Sequence, residues 1–376
     1  MNSDLRPSPD DPEILVHPLV RICGPAFQEP MVCTGGAALT GDGRTIVAYA
    51  GLRGSPHGLD PGEGSLSVRY SNTPVLSRND WTEGREIVRH QDCNAVGPSI
   101  LRDRDGVLWV FYLGFVRSEW KDGEPTDRTI SNVWSIRSFD DGATWVDRKC
   151  IFEGYCGATR GAIQVSSGEI VVPISYVVKN PGRYLSACLV TRDRGQSWEL
   201  NGSVDIGQCG DHAGAVEPSV VELRDGRLWL QIRTNLGVFM DSFSSDLGRT
   251  WSSPVRSAIG SPSAPGILHR LSSGRICMAW NNTMDRVDEV EAVEGAEFSG
   301  SSLAHNLRDV LSIAFSDDDG ASWTGPVEIA KSIQLSYPRL LETLPGVILC
   351  GCQRVEPDWN HLRQVNILLN ESDFAV

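Results

Sequence analysis

Short apolar runs broken by glycine-centred turns recur along the whole chain: "ALTGDGRTIVAYAG", "ILRDRDGVLWVFYLG", "IQVSSGEIVVPISYV", "VELRDGRLWLQIR", "HRLSSGRICMAWNN" and "LETLPGVILCGCQ". Asp-Gly or Ser-Gly between two β-rich runs is a strong short-range hairpin signal. The turn glycines are Gly43, Gly106, Gly168, Gly226, Gly274 and Gly346, spaced on average by about 61 residues, and such a period marks a repeat architecture. A second, polar pattern is superposed on the first: "SFDDGATW" (138–145), "TRDRGQSW" (191–198), "SSDLGRTW" (244–251) and "SDDDGASW" (316–323), with a worn copy ending at Trp81. Each period is long enough for a four-stranded antiparallel sheet, and radial repetition of such sheets is a β-propeller. The pattern therefore predicts an all-β fold: a six-bladed β-propeller filling residues 1–376 as one domain, with residues 1–11 as a tail. Each blade has strands A to D, the Gly turn joins A to B, and the tryptophan box joins C to D. Blade six lacks a clear fourth strand, and "EILVHPLV" near the N-terminus has no hairpin partner. Closing the ring with that segment hides both edges.

This topology sorts residues by face. Gly turns and tryptophan boxes share one face, while the starts of the inner A strands, the B–C loops and the inter-blade linkers share the other. The A-strand starts converge on an axial mouth, where a ligand site is expected. They include Glu29, Gly97, Arg160, Glu217, Ala264 and Tyr337, five of the six beside a proline. Two carboxylates, an arginine and a tyrosine in one ring exceed what packing requires. Glu217 precedes Arg233 by one hairpin that turns at Asp225–Gly226, so Arg233 returns to the height of Glu217.

Composition narrows the function classes. A formal net charge of −14 argues against nucleic acid as a partner. No apolar run is long enough to span a bilayer, and the N-terminal stretch lacks a secretory pattern, so the expectation is a cytoplasmic protein without a membrane partner. The ten cysteines lack zinc-site spacings and read as reduced, mostly buried thiols. The seven histidines are dispersed, and no phosphate loop or nucleotide fingerprint is present, so neither metal nor cofactor is expected.

The tryptophan boxes resemble the Asp-box (BNR) repeat, and the whole chain resembles the six-bladed propellers of the sialidase, or neuraminidase, superfamily. The resemblance implies an exo-acting, retaining glycoside hydrolase on a carbohydrate substrate. It puts Tyr337, in "LSYPRLLETLPG", at the position of the nucleophile, Glu217 at that of its activator, and Asp60, in the blade-one B–C loop, at that of the acid/base. His57 and Glu63 are fallback acids in the same loop. Arg233 and Arg308 match two of the family's carboxylate-binding arginines, and arginine suits planar, bidentate recognition. The family's Arg-Ile-Pro signature reads "FQEPMV" here, so Gln28 stands for the arginine and Glu29 follows it. Arg160 or Arg53 compensates in this reading, and the sugar is a terminal, acidic one other than sialic acid. Asp211 and His212, in the linker before Glu217, form a proton relay or substrate clamp, or a plain hydrogen-bonded loop. The acidic 283–306 insertion reads as a lid, an oligomer contact or a solvated loop, and Trp120 offers a flat face to a sugar ring. Two other function classes stay open at this point: a noncatalytic carbohydrate-binding propeller, and a polysaccharide lyase acting beside a uronate.

Overall fold

The computed structural model describes residues 5–24, 32–33, 35–51, 64–77, 80–283, 307–355 and 362–374. Six antiparallel sheets form the blades of a propeller. Blade two is the most regular, running Asn94–Arg102, Leu108–Arg117, Ile130–Ser138 and Val146–Phe152 from axis to rim. Blade four repeats it with Val216–Glu222, Leu228–Arg233, Val238–Ser244 and Val255–Gly260.

The second strand of each blade is the most apolar, because both of its faces are covered by neighbouring blades. In blade one, "TIVAYA" (45–50) is buried along its whole length. Side chains of this size contribute about 1.5–3 kcal/mol each when fully buried. The clusters they form run between blades rather than within them: Val171, Val190 and Leu230, for example, join blades three and four.

Closure of the ring differs in detail from the sequence expectation. In blade six (Leu335–Leu344, Val347–Val355, Leu362–Asn370), the fourth strand is Arg21–Ile22, paired with Leu368 and Ile367. The strand within "EILVHPLV", Leu15–Val16, instead adds to the outer edge of blade five beside Ala330 and Lys331. Arg6–Pro7 pairs in turn with Leu15–Val16, so part of the expected tail is drawn into that sheet. The N-terminal segment thus bridges two blades and covers the outer edge of both.

The four tryptophan boxes lie at the C–D turns. In the first, Asp140 accepts from the Thr144 backbone N–H at 2.7 Å and from its hydroxyl at 2.6 Å, while the Ser138 hydroxyl accepts from Gly142 N–H. Asp193, Asp246 and Asp318 repeat the arrangement. The turn demands a left-handed residue before its glycine, and Asp141, Arg194, Leu247 and Asp319 all have φ of 53–59°. Hydrogen bonds from the threonine or serine hydroxyl hold the Asp140 and Asp193 carboxyls down at about 2. A depressed folded value means that this stabilisation is complete above the unfolded pKa of about 3.9 and is lost as pH falls through the folded one. Asp140→Asn is therefore expected to lower the thermal midpoint at pH 7 and to differ much less from wild type near pH 2, as read by melts at both pH values.

The nine cysteines whose side chains are described are free thiols, and all of these but Cys150 and Cys209 are buried. Among the described residues, no helix is long and apolar enough to cross a membrane.

Candidate active site

The mouth is built by one backbone device used four times. The inner strands of blades two, four and six each carry one extra residue against their partner, at Gly97–Pro98, Glu217–Pro218 and Tyr337–Pro338. In blade three the extra residue falls between Thr159 and Ile163, at Arg160–Gly161. A β-bulge bends the strand and re-aims the side chain it carries. The bulged residue is left-handed in every case: φ is 59° at Gly97, 60° at Gly161, 45° at Glu217 and 57° at Tyr337. Glycine meets this requirement freely in blades two and three. Glutamate and tyrosine meet it only at a cost of about 1–3 kcal/mol each, a strain that persists where the surroundings over-determine the conformation.

Around these bulges the structure gathers five of the predicted side chains. Arg233, 5% exposed, donates from Nη1 to Glu217 Oε2 at 2.5 Å, and Glu217 is itself 7% exposed. Arg233 Nη2 donates to the Ser263 hydroxyl at 3.1 Å, and Arg308 donates to the Ser263 carbonyl at 2.6 Å. Ser263 therefore fixes the spacing of two guanidinium groups. It was missed in the sequence because "SPSAPG" reads only as a proline-flanked strand start. Arg160, 1% exposed, donates to the Pro338 carbonyl at 2.7 Å and lies with its guanidinium carbon 5.3 Å from the centroid of the Tyr337 ring. Arg308 lies 5.7 Å from the same centroid. Tyr337 is half-buried, and its hydroxyl is within reach of Arg233 and Arg308.

Electrostatically this is a cationic pocket in an acidic protein. Burial pushes the Glu217 carboxyl up, but Arg233, Arg160 and Arg308 together outweigh it and hold the group below the ordinary carboxylate range. Burial, seconded by Arg339, pulls Arg160 well below the usual arginine range. Two of its nitrogens, Nε and Nη1, are buried without a hydrogen-bond partner among the described residues. Preorganised donors at a water-poor mouth favour a negative ligand group.

The other predicted residues fall elsewhere. Asp211 and His212 form a pair at 3.0 Å on the linker, with the imidazole 68% exposed. Asp211 acts electrostatically on Tyr155 and Tyr184, and Trp120 is stacked on Tyr184 at 6.0 Å. Glu217 and Tyr337 share no direct hydrogen bond among the described residues; Arg233 stands against both. Asp60, Arg53, Gln28, Glu29, His57 and Glu63 lie outside the described residues, as does 284–306 of the acidic insertion. A cavity of about 1000 Å³ follows the propeller axis toward the opposite face, lined by Gln164, Glu222, Arg270, Arg339 and Glu342. Arg339, on its lining, acts electrostatically on Arg160 at the mouth.

Comparison with known proteins agrees with this architecture. The profile of the BNR repeat-like domain family matches residues 43–349. A sialidase of Bacteroides fragilis is 26% identical over 253 residues, which is 61% of this chain and 42% of the relative. A sialidase of Clostridium perfringens is 27% identical over 148 residues, 35% of this chain and 37% of the relative. The chain thus matches about two-fifths of the length of these curated relatives. Among solved structures, a Hadza microbial sialidase superposes with a TM-score of 0.70 at 18% identity, covering 92% of this chain and 66% of the other. An intramolecular trans-sialidase from Ruminococcus gnavus gives 0.66 at 14% identity, covering 93% and 96%. With six four-stranded blades, Asp boxes at the C–D turns and a match over most of its length, the chain belongs to the BNR repeat-like domain family, within the sialidase superfamily of six-bladed β-propellers.

Proposed function

We propose that the protein is an exo-acting retaining glycoside hydrolase that removes a terminal acidic sugar from a glycan or oligosaccharide. The observation that carries the reading is the buried Glu217–Arg233 pair beside a tyrosine flanked by two further arginines. Cations at such a density favour a substrate with a carboxylate or a similar anionic group. A neutral phenol is the fitting nucleophile beside that group, because a carboxylate nucleophile would be repelled.

In the proposed cycle the Tyr337 oxygen bonds to the anomeric carbon as the bond to the leaving oxygen breaks. The phenolic proton passes to Glu217, whose Oε2 is held by Arg233, leaving Oε1 as the acceptor. Asp60 gives its proton to the leaving oxygen. Water then attacks the anomeric carbon from the face the leaving group vacated, opposite Tyr337, as the bond to the tyrosine oxygen breaks; Asp60 takes its proton, and Glu217 returns one to the phenolate. Arg233, Arg308 and Arg160 hold the anionic group. Asp211 and His212, exposed beyond the aromatic cluster, are suited to contacts with the leaving portion. The exposed, Asp211-paired imidazole does not favour a lyase, which would need it against Tyr337.

The test is hydrolysis of aryl glycosides and acidic oligosaccharides by wild type, Tyr337→Phe and Glu217→Gln. A terminal uronate or other acidic sugar is the expected substrate. Binding without turnover by wild type would turn the reading into a noncatalytic lectin. Arg308→Lys is expected to raise KM for an acidic substrate by roughly 10–100-fold, with a smaller effect on kcat, because a point charge replaces a planar fork. Steady-state kinetics on an acidic substrate and its uncharged analogue checks this. An equal loss on both would count against a carboxylate-binding role.

A further inference from the structure

Away from the mouth, the linker between the outer strand of blade one (Arg85–Arg89) and the inner strand of blade two carries "HQDC", residues 90–93. One donor atom each from His90, Asp92 and Cys93 lies within 4.8 Å of the others. Spacing rules for zinc motifs pass over this stretch, because the donors sit on one tight linker instead of on two paired loops.

The surroundings are built to receive something there. His90 Nε2 lies 3.0 Å from the Tyr112 hydroxyl, and the ring stands edge-on to Trp134 at 4.9 Å. A ligating imidazole commonly uses its second nitrogen on such an outer partner, which fixes the ring and its tautomer. Over Cys93 the neighbouring strand carries Gly114, where a Cβ would come within 3.3 Å of the Cys93 sulfur and 2.6 Å of the Trp134 indole nitrogen. The glycine keeps the sulfur clear of a side chain. That indole nitrogen is itself buried without a hydrogen-bond partner among the described residues. Cys93 is buried and Asp92 exposed, so the group has an apolar floor and an entrance from solvent.

We infer that His90, Asp92 and Cys93 form a site for a zinc-class divalent cation, with water in the remaining position. Imidazole, carboxylate and thiolate are the zinc donor set, and three protein ligands with one open position are a standard zinc arrangement. Binding releases the Cys93 proton to solvent and forms a sulfur–metal bond. Asp92 and the thiolate then bring two negative charges near Arg148, whose guanidinium donates to the Arg89 carbonyl. The bound ion locks the linker that joins blade one to blade two.

The experiment titrates the full chain with Co²⁺ alone and with Zn²⁺ alone, reading the near-ultraviolet cobalt–thiolate band and the metal content after dialysis. One ion per chain is expected, with a band that Cys93→Ser abolishes and Cys209→Ser leaves in place. Because the Cys93 variant alters a buried position, the exposed Asp92→Asn serves as the second test. It should weaken binding at least tenfold and remove the rise in thermal midpoint that Zn²⁺ gives wild type. Absence of the band in wild type, or its survival in Cys93→Ser, overturns the assignment, as does unchanged affinity in Asp92→Asn.

Discussion

Tyr337→Phe is expected to lower kcat/KM on the cognate acidic glycoside by at least ~10³-fold, about 4 kcal/mol of transition-state stabilisation. The change deletes one oxygen and keeps the ring between Arg160 and Arg308, so the packing that places it survives. Thermal stability should therefore remain close to wild type, and the loss should fall on kcat. Replacing Tyr337 by glycine should give the opposite signature on the fold side. It relieves the left-handed backbone at φ 57° but removes the ring against which two guanidinium groups pack. Single-turnover kinetics on wild type and the phenylalanine variant, with melts of all three, separates the contributions. Activity within tenfold of wild type in Tyr337→Phe would end the nucleophile assignment.

Glu217→Gln is expected to act on both stability and turnover. Its carboxylate is the negative charge that Arg233 pairs with and that Arg160 and Arg308 also feel, all within a buried mouth. Removing one partner of a buried pair costs about 3–5 kcal/mol because the other charge is left uncompensated. Glu217→Gln leaves Arg233 in that condition, with Arg160 and Arg308 adding repulsion. Arg233→Gln should cost less, since Glu217 keeps the other two cations. The double variant should recover part of the loss, and denaturant titrations of the four proteins give the coupling directly. If the double variant is no more stable than Glu217→Gln, the pair is not the source of the cost. The depressed Glu217 value adds a pH signature: its stabilisation is present above the unfolded carboxyl pKa of about 4.3 and fades as pH falls through the lower folded value.

Glu217, Arg233, Arg160 and Tyr337 converge around the strand bulges for a simple reason. A propeller converts chain period into angular position, so six glycine turns and four Asp boxes specify which residues face the axis and at which end. Glu217, Arg233, Arg160 and Tyr337 follow from that count. The role of the prolines was only half visible. Next to Gly97, Glu217 and Tyr337 they mark bulges, and a bulge is a property of register between two strands that one strand's residues do not declare.

The sequence by itself determined the blade number, the strand direction and the two faces, because hairpin turns and Asp boxes are local chemistry repeated at a fixed spacing. Only the tertiary structure decided what the side chains do to one another. Ser263 holding Arg233 and Arg308, Arg160 lying against Tyr337, and Arg233 standing between Glu217 and the phenol all join residues 16 to 177 positions apart. Those contacts depend on how neighbouring blades are rotated about the axis, which is fixed by interlocking apolar faces and carries no local signature in the chain. The N-terminal segment shows the same division: its β character was legible, but whether 15–16 or 21–22 completed blade six depended on which edge each pair could reach.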